Sequence, residues 1–136
     1  MTAFAFRNGI KRPPRFHDTW TPRAGLEARV LSHTDVDVHV RGGYSFDSTP
    51  VPPQRGYTNY VDPDRHIAAL SAGAVWKGVG STRFGTPVLF DLVCQGQYLP
   101  RRVSYKTDEV DPANPGYPKI GVEGFLEFIG LSVGFY

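Results

Sequence analysis

The sequence predicts an all-β chain, an antiparallel meander of about five strands in a single segment, residues 1–136. Three observations predict it: apolar and polar residues alternate with period two, connections alternate between short and long, and aromatic residues collect at strand ends. Composition agrees. Gly 15 and Pro 12 are high for a helical protein, and Tyr 7 with Phe 9 favours strands.

Along residues 20–30 the even positions read Trp20, Pro22, Ala24, Leu26, Ala28 and Val30, against Thr21, Arg23, Gly25, Glu27 and Arg29. Residues 36–46 repeat the pattern, with Val36, Val38, Val40, Gly42, Tyr44 and Phe46 facing away from Asp37, His39 and Arg41. A third strand over 66–76 sets Ala68, Leu70, Ala72, Ala74 and Trp76 on one side. A fourth over 86–98 sets Val88, Phe90, Leu92, Cys94 and Tyr98 there, with Asp91, Gln95 and Gln97 opposite. The last, over 119–135, ends on Ile129, Leu131, Val133 and Phe135 in phase. Each stretch is close to the roughly 9–11 residues that a tilted strand needs to cross a bilayer.

The connections run short (Leu31–Asp35), long (Asp47–Arg65), short (Lys77–Gly85), long (Leu99–Pro118). Transmembrane β-barrels have this rhythm, with short periplasmic turns and longer external loops, so loops 47–65 and 99–118 are expected on the external side. Trp20, Tyr44, Phe46 and Tyr98 fall at the ends toward the long loops, and Trp76 and Phe135 at the other ends. Two aromatic girdles would seat amphipathic rings at the two membrane interfaces.

Other chemistry finds little purchase. A formal charge of +2 does not announce a nucleic-acid partner, and the basic groups Lys11, Arg12, Arg15 and Arg101–Arg102 read as solvated loop charges beside prolines. One cysteine, Cys94, excludes an intrachain disulfide framework and reads as a small buried side chain. His17, His33, His39 and His66 lack metal-ligand spacing. Asp62 and Asp64 read as turn caps or partners of Arg65 rather than an acid–base pair, and Asn114-Pro115-Gly116 reads as a turn. Neither an enzyme nor a cofactor is expected.

The stretch Arg41-Gly42-Gly43-Tyr44-Ser45-Phe46-Asp47-Ser48-Thr49-Pro50-Val51-Pro52 is followed by Asp62-Pro63-Asp64-Arg65 and Leu70-Ser71-Ala72-Gly73, and preceded by Asp18-Thr19-Trp20 and Gly25. In this order and spacing, over roughly residues 16–76, the chain resembles the outer-membrane long-chain fatty acid and aromatic hydrocarbon transport proteins. It departs from their pattern at Thr49, where Ser is usual, and at Val61, where Pro is usual. The plug and early strands of those proteins have no counterpart here. The resemblance therefore implies that the chain is a C-terminal portion of such a barrel, and no secretory leader is visible at Met1.

The function implied is a passive outer-membrane channel for hydrophobic compounds such as long-chain fatty acids or aromatic hydrocarbons, in a Gram-negative cell outer membrane. Its expected partners are those small molecules, outer-membrane lipid and the barrel assembly machinery. Arg23, Glu27, Arg29, Asp37, His39 and Arg41 lie on the polar faces of the first two strands and are the candidate lumen-facing residues. The alternative is a soluble β-barrel or β-sandwich, a binding protein or a phage structural subunit.

Overall fold

The computed structural model describes residues 15–54, 59–106 and 116–135. Five strands form one sheet: β1 (Arg23–Ser32), β2 (Val36–Asp47), β3 (Arg65–Val79), β4 (Thr82–Tyr105) and β5 (Lys119–Phe135). Their order in space is their order in sequence, and every neighbouring pair is antiparallel. The expected all-β meander is observed, as an open sheet. Among the described residues β1 and β5 are each paired on one side only. Lys11, Arg12, Asn114 and Pro115, and residues 55–58 and 107–115 of the expected external loops, lie outside the described residues.

The ladder register carries the sequence alternation across the whole sheet. Ala28, Val40, Ala72, Leu92 and Leu131 form one continuous row of partners. Arg29, His39, Gly73, Asp91 and Ser132 form the adjacent row. Because side chains alternate across a pleated strand, these rows belong to opposite faces. On the apolar face many of the large side chains are largely exposed: Leu26 is 85 %, Leu70 68 %, Ile129 69 % and Leu131 74 % exposed. Cys94 sits there too, exposed rather than buried, between Leu70 and Ile129. Over the middle strands the charged face is the more enclosed one, whereas β1 is exposed on both faces. Asp37 is 9 % exposed, and the side chains of His39 and Asp91 keep 17 % and 20 %.

β4 is longer at both ends than its apolar run suggests, taking in Thr82–Pro87 and Leu99–Tyr105. Residues 99–105, expected in an external loop, are strand and pair with Lys119–Gly124. Each extension contains a proline and each contains a register shift: Pro100 lies within the shift between Leu99 and Arg102, and Pro87 beside the one facing Trp76–Gly78. A bulge lets a residue without an N–H sit in a strand without leaving a ladder partner unsatisfied. A bulge after Arg29 likewise extends β1 and brings Leu31 opposite Val38. The β3–β4 hairpin closes at Gly80, whose φ of 61° is in the left-handed region that side chains other than glycine's disfavour.

At the opposite end the connection between β2 and β3 folds against the inner side of the β4–β5 extension. Among the described residues, Val51, Gln54 and Lys106 are buried here. The Arg102 guanidinium donates to the carbonyls of Asp62, at 2.8 Å, and of Val51. Lys106 donates to Asn59 through its ammonium and to the Pro118 carbonyl through its amide. Gln54 accepts from the Tyr60 amide and donates to the Pro52 carbonyl. The motif that ends β2 and the motif Asp62-Pro63-Asp64-Arg65 meet here. Thr49 donates its amide to Asp64 at 2.8 Å and its hydroxyl to Asp62 at 3.0 Å, and Asp62 also accepts from Arg65 at 3.2 Å. Segment 15–22 joins through His17 and Pro50, Ser48 and Trp20, and an edge-on contact of Phe16 with Tyr60. Truncating Arg102 leaves two enclosed carbonyls without donors. Arg102→Ala is expected to speed amide hydrogen exchange at Val51 and Tyr60 by about tenfold or more, with the β2–β3 ladder amides unchanged.

Candidate functional site

Strand pairing places all six candidate residues, Arg23, Glu27, Arg29, Asp37, His39 and Arg41, on the charged face. Three of them converge. Arg41 donates its Nε–H to Glu27 Oε2 at 2.8 Å across the β1–β2 pair, and an Nη1–H to Asp91 Oδ1 at 3.0 Å. His39 Nδ1 lies 3.3 Å from Glu27 Oε1, within range of charge attraction when the ring is protonated but without a hydrogen bond. Asp37 belongs to a second cluster toward the short turns, where it accepts from Lys77 and, at 3.0 Å, from Ser32. Arg83 joins that end through the Thr34 carbonyl. Arg23 and Arg29 project from the same face without entering either hydrogen-bond cluster.

Arg41 and Asp91 are not neighbours in the sheet. They sit on β2 and β4, and their contact passes over β3. The crossing is possible because β3 presents Ser71 and Gly73 at that point. A Cβ built on Gly73 would lie 2.2 Å from Asp91 Oδ1, so the carboxylate occupies the space that any other residue's side chain would need. Glu27, Arg41 and Asp91 thus link β1, β2 and β4 on one face, across β3. Gly25, Gly43, Ala69 and Ser71 floor an open depression of about 380 Å3, bordered by Glu27, Arg41 and Val93.

Two carboxylates share one guanidinium here, so the cluster carries a net negative charge unless His39 is protonated. Arg41 is committed to protein partners on two sides, which leaves it poorly placed as a free anion receptor. Among the described residues no group of three or more His, Cys, Asp or Glu side chains could hold a metal ion. No helix there is long and apolar enough to cross a membrane. Sequence reasoning named Asp91 only as part of a polar strand face and missed Lys77. Both become partners only through the register of β2 against β3 and β4; the small pair Ser71 and Gly73 opposite Arg41 and His39 was the available signal.

On the other face, at the end toward the long loops, Tyr44 OH lies 2.7 Å from His66 Nδ1, and the rings of Phe46 and Tyr98 flank His66 with centroids 4.9 and 6.2 Å away. Trp76 stands at the other end, its indole N–H donating to the Gly78 carbonyl at 2.6 Å.

Comparison with protein-family models, with curated proteins and with solved structures finds no match to this chain.

Gly73→Ala is expected to displace the Asp91 carboxylate and cost about 1 kcal/mol, a value kept low by the partial exposure of the ion pair. In an Asp91→Ala background the same change is expected to cost close to nothing. A double-mutant cycle on denaturant midpoints checks it, and equal costs in the two backgrounds would break the proposed coupling.

Proposed function

We propose that this chain forms part of the wall of an outer-membrane β-barrel through which hydrophobic compounds, such as long-chain fatty acids or aromatic hydrocarbons, enter passively. One observation carries the proposal: on β1–β4 large apolar side chains cover one exposed face, with Glu127 of β5 the charged exception on it, while the charged residues Glu27, His39, Arg41 and Asp91 are partly enclosed and paired on the other. Water on both sides would favour the reverse arrangement, whereas hydrocarbon outside and a polar lumen inside favour this one. The dimensions agree. Ten residues along β3 separate His66 from Trp76. At about 3.3 Å per residue and about 45° of tilt they span about 23 Å, close to the roughly 25 Å apolar band of such barrels.

In this setting Tyr44, Phe46, His66 and Tyr98 mark one interface and Trp76 the other, and the pinned connection around Arg102 forms part of the external rim. Glu27, Arg41, Asp91 and His39 line the lumen as a structural ion-pair cluster. The motif resemblance over residues 16–76 points to the same class of channel, and no catalysis or cofactor is called for. Lipid and further wall strands would cover the apolar face and the free edges of β1 and β5, since unpaired backbone groups are not tolerated in hydrocarbon.

Leu131 and Ser132 are adjacent on β5, face opposite ways and are both exposed in the chain by itself. Leu131→Arg is therefore expected to cost about 2–4 kcal/mol of assembly in a membrane, while Ser132→Arg, next to Asp91, costs close to nothing. Heat-modifiable migration of both variants in outer-membrane fractions reads the difference. Equal behaviour, as for two exposed positions in water, would reject the membrane assignment.

A further inference from the structure

One charge breaks the apolar face, and it stands beside a free edge. On β5 the outward positions run Phe125, Glu127, Ile129, Leu131, Val133 and Phe135. Glu127 faces Gly96 of β4 and is exposed. The aromatic row of Phe46, His66, Tyr98 and Phe125 lies one outward position nearer the rim. At about 3.3 Å per residue and about 45° of tilt, Glu127 sits about 5 Å inside that row, within the apolar band. Glu123 and Lys119 fall on the rim side of the row.

Nothing in the sheet answers this carboxylate. Among the described residues no hydrogen bond or ion pair engages it. The nearest outward positions of β4 are Cys94, Gly96 and Tyr98, and none is a cation. The Phe125 ring closes that side: a Cβ on Gly96 would meet its Cζ at 3.2 Å and its Cε2 at 3.5 Å. The open side is the edge of β5, which has no strand beside it among the described residues. A charge within the apolar band is costly unless a partner meets it.

Direction narrows that partner. In a meander of five, β1 and β5 run the same way. An all-antiparallel wall leading from β5 back to β1 therefore contains an odd number of further strands. A second copy turned about the barrel axis would set its β1 parallel to β5. Its outward residues there, Ala24, Leu26, Ala28 and Leu31, bring no cation. A copy inverted to place β5 against β5 would carry its rim to the other side of the bilayer.

We infer that the free edge of β5 takes an antiparallel wall strand bearing a lysine or arginine on its outward face opposite Glu127, and that this ion pair sets the register of the joint. The inference rests on the barrel reading above and names the chemistry of the strand that meets this edge. Opposite charges directly across a ladder attract and like charges repel, and partial dehydration strengthens both. A slip of one residue would turn the cation to the lumen and leave Glu127 unanswered.

The test uses the full chain, first in flotation with phosphatidylcholine vesicles and then in phosphocholine micelles. A chain that stays off the vesicles refutes the barrel reading itself. The probes are ten-residue synthetic strands alternating leucine and threonine, with one central leucine replaced by lysine or by glutamate. Slowed amide exchange along β5 reports their binding. The lysine strand is expected to bind about fivefold more tightly than the glutamate strand, and Glu127→Lys to reverse the order. Glu127 is exposed, so the substitution leaves the chain's own packing unchanged. The edge of β1 is expected to respond to both strands alike. A nitroxide on the N-terminus of the lysine strand is expected to broaden amide signals near Val133, the mark of antiparallel pairing. Broadening near Val122 instead, equal binding of the two strands, or an unchanged order in Glu127→Lys overturns the inference. So do edge amides of β5 that are already protected in the chain alone, as a second copy would protect them.

Discussion

Backbone hydrogen bonding within a single sheet holds this chain together, because it has almost no apolar core: the one buried hydrophobic residue among those described is Val51. A five-strand sheet with a bare apolar face lacks the burial that offsets chain entropy in water. Side chains such as Leu26, Ile129 and Leu131 would each gain about 1.5–3 kcal/mol on full transfer out of water, so the structure depends on what covers them. The ion pairs of the other face cannot replace that term. They are partly exposed, and pairs of that kind contribute at most about 1 kcal/mol each. Their effect is geometric: Glu27, Arg41 and Asp91 link β1, β2 and β4 across β3 in one register, where a slip by a single residue would reverse every side chain between the two faces.

Order outside the sheet is concentrated where the alternation ends. The connection between β2 and β3 has few apolar residues to bury, and it is held by Arg102, Lys106, Gln54 and the two aspartates that serve Thr49. Enclosed polar groups with directional partners give such a segment one conformation where a hydrophobic core cannot. The result is a sheet whose covering comes from its surroundings, joined to a rim that supplies its own packing.

The strands and their faces were legible because period two is a local signal. Val36 to Phe46 shows it without knowledge of any partner, and β2 and β5 lie within a residue of their expected ends. β4 was underestimated at both ends because the period-two alternation runs only from Val88 to Tyr98; register shifts near Pro87 and Pro100 carry the strand on, and such shifts belong to pairs of strands rather than to one. The pairing of Asp62 with Arg65 was legible from their spacing. The contact of Arg41 with Asp91 was not, because it depends on β3 offering Gly73 between them. The buried state of Lys106 was equally hidden, since a lysine beside a polar loop ordinarily reads as solvated.

The central claim is that the exposed apolar face lies against hydrocarbon, and Trp76 reports on it directly. With Trp20→Phe, Trp76 is the one remaining indole, on that face and 44 % exposed. The variant, reconstituted in vesicles whose acyl chains carry bromine, is expected to show strongly quenched Trp76 fluorescence and little response to aqueous acrylamide. Full quenching by acrylamide with no effect of the brominated lipid would place that face in water and contradict the account.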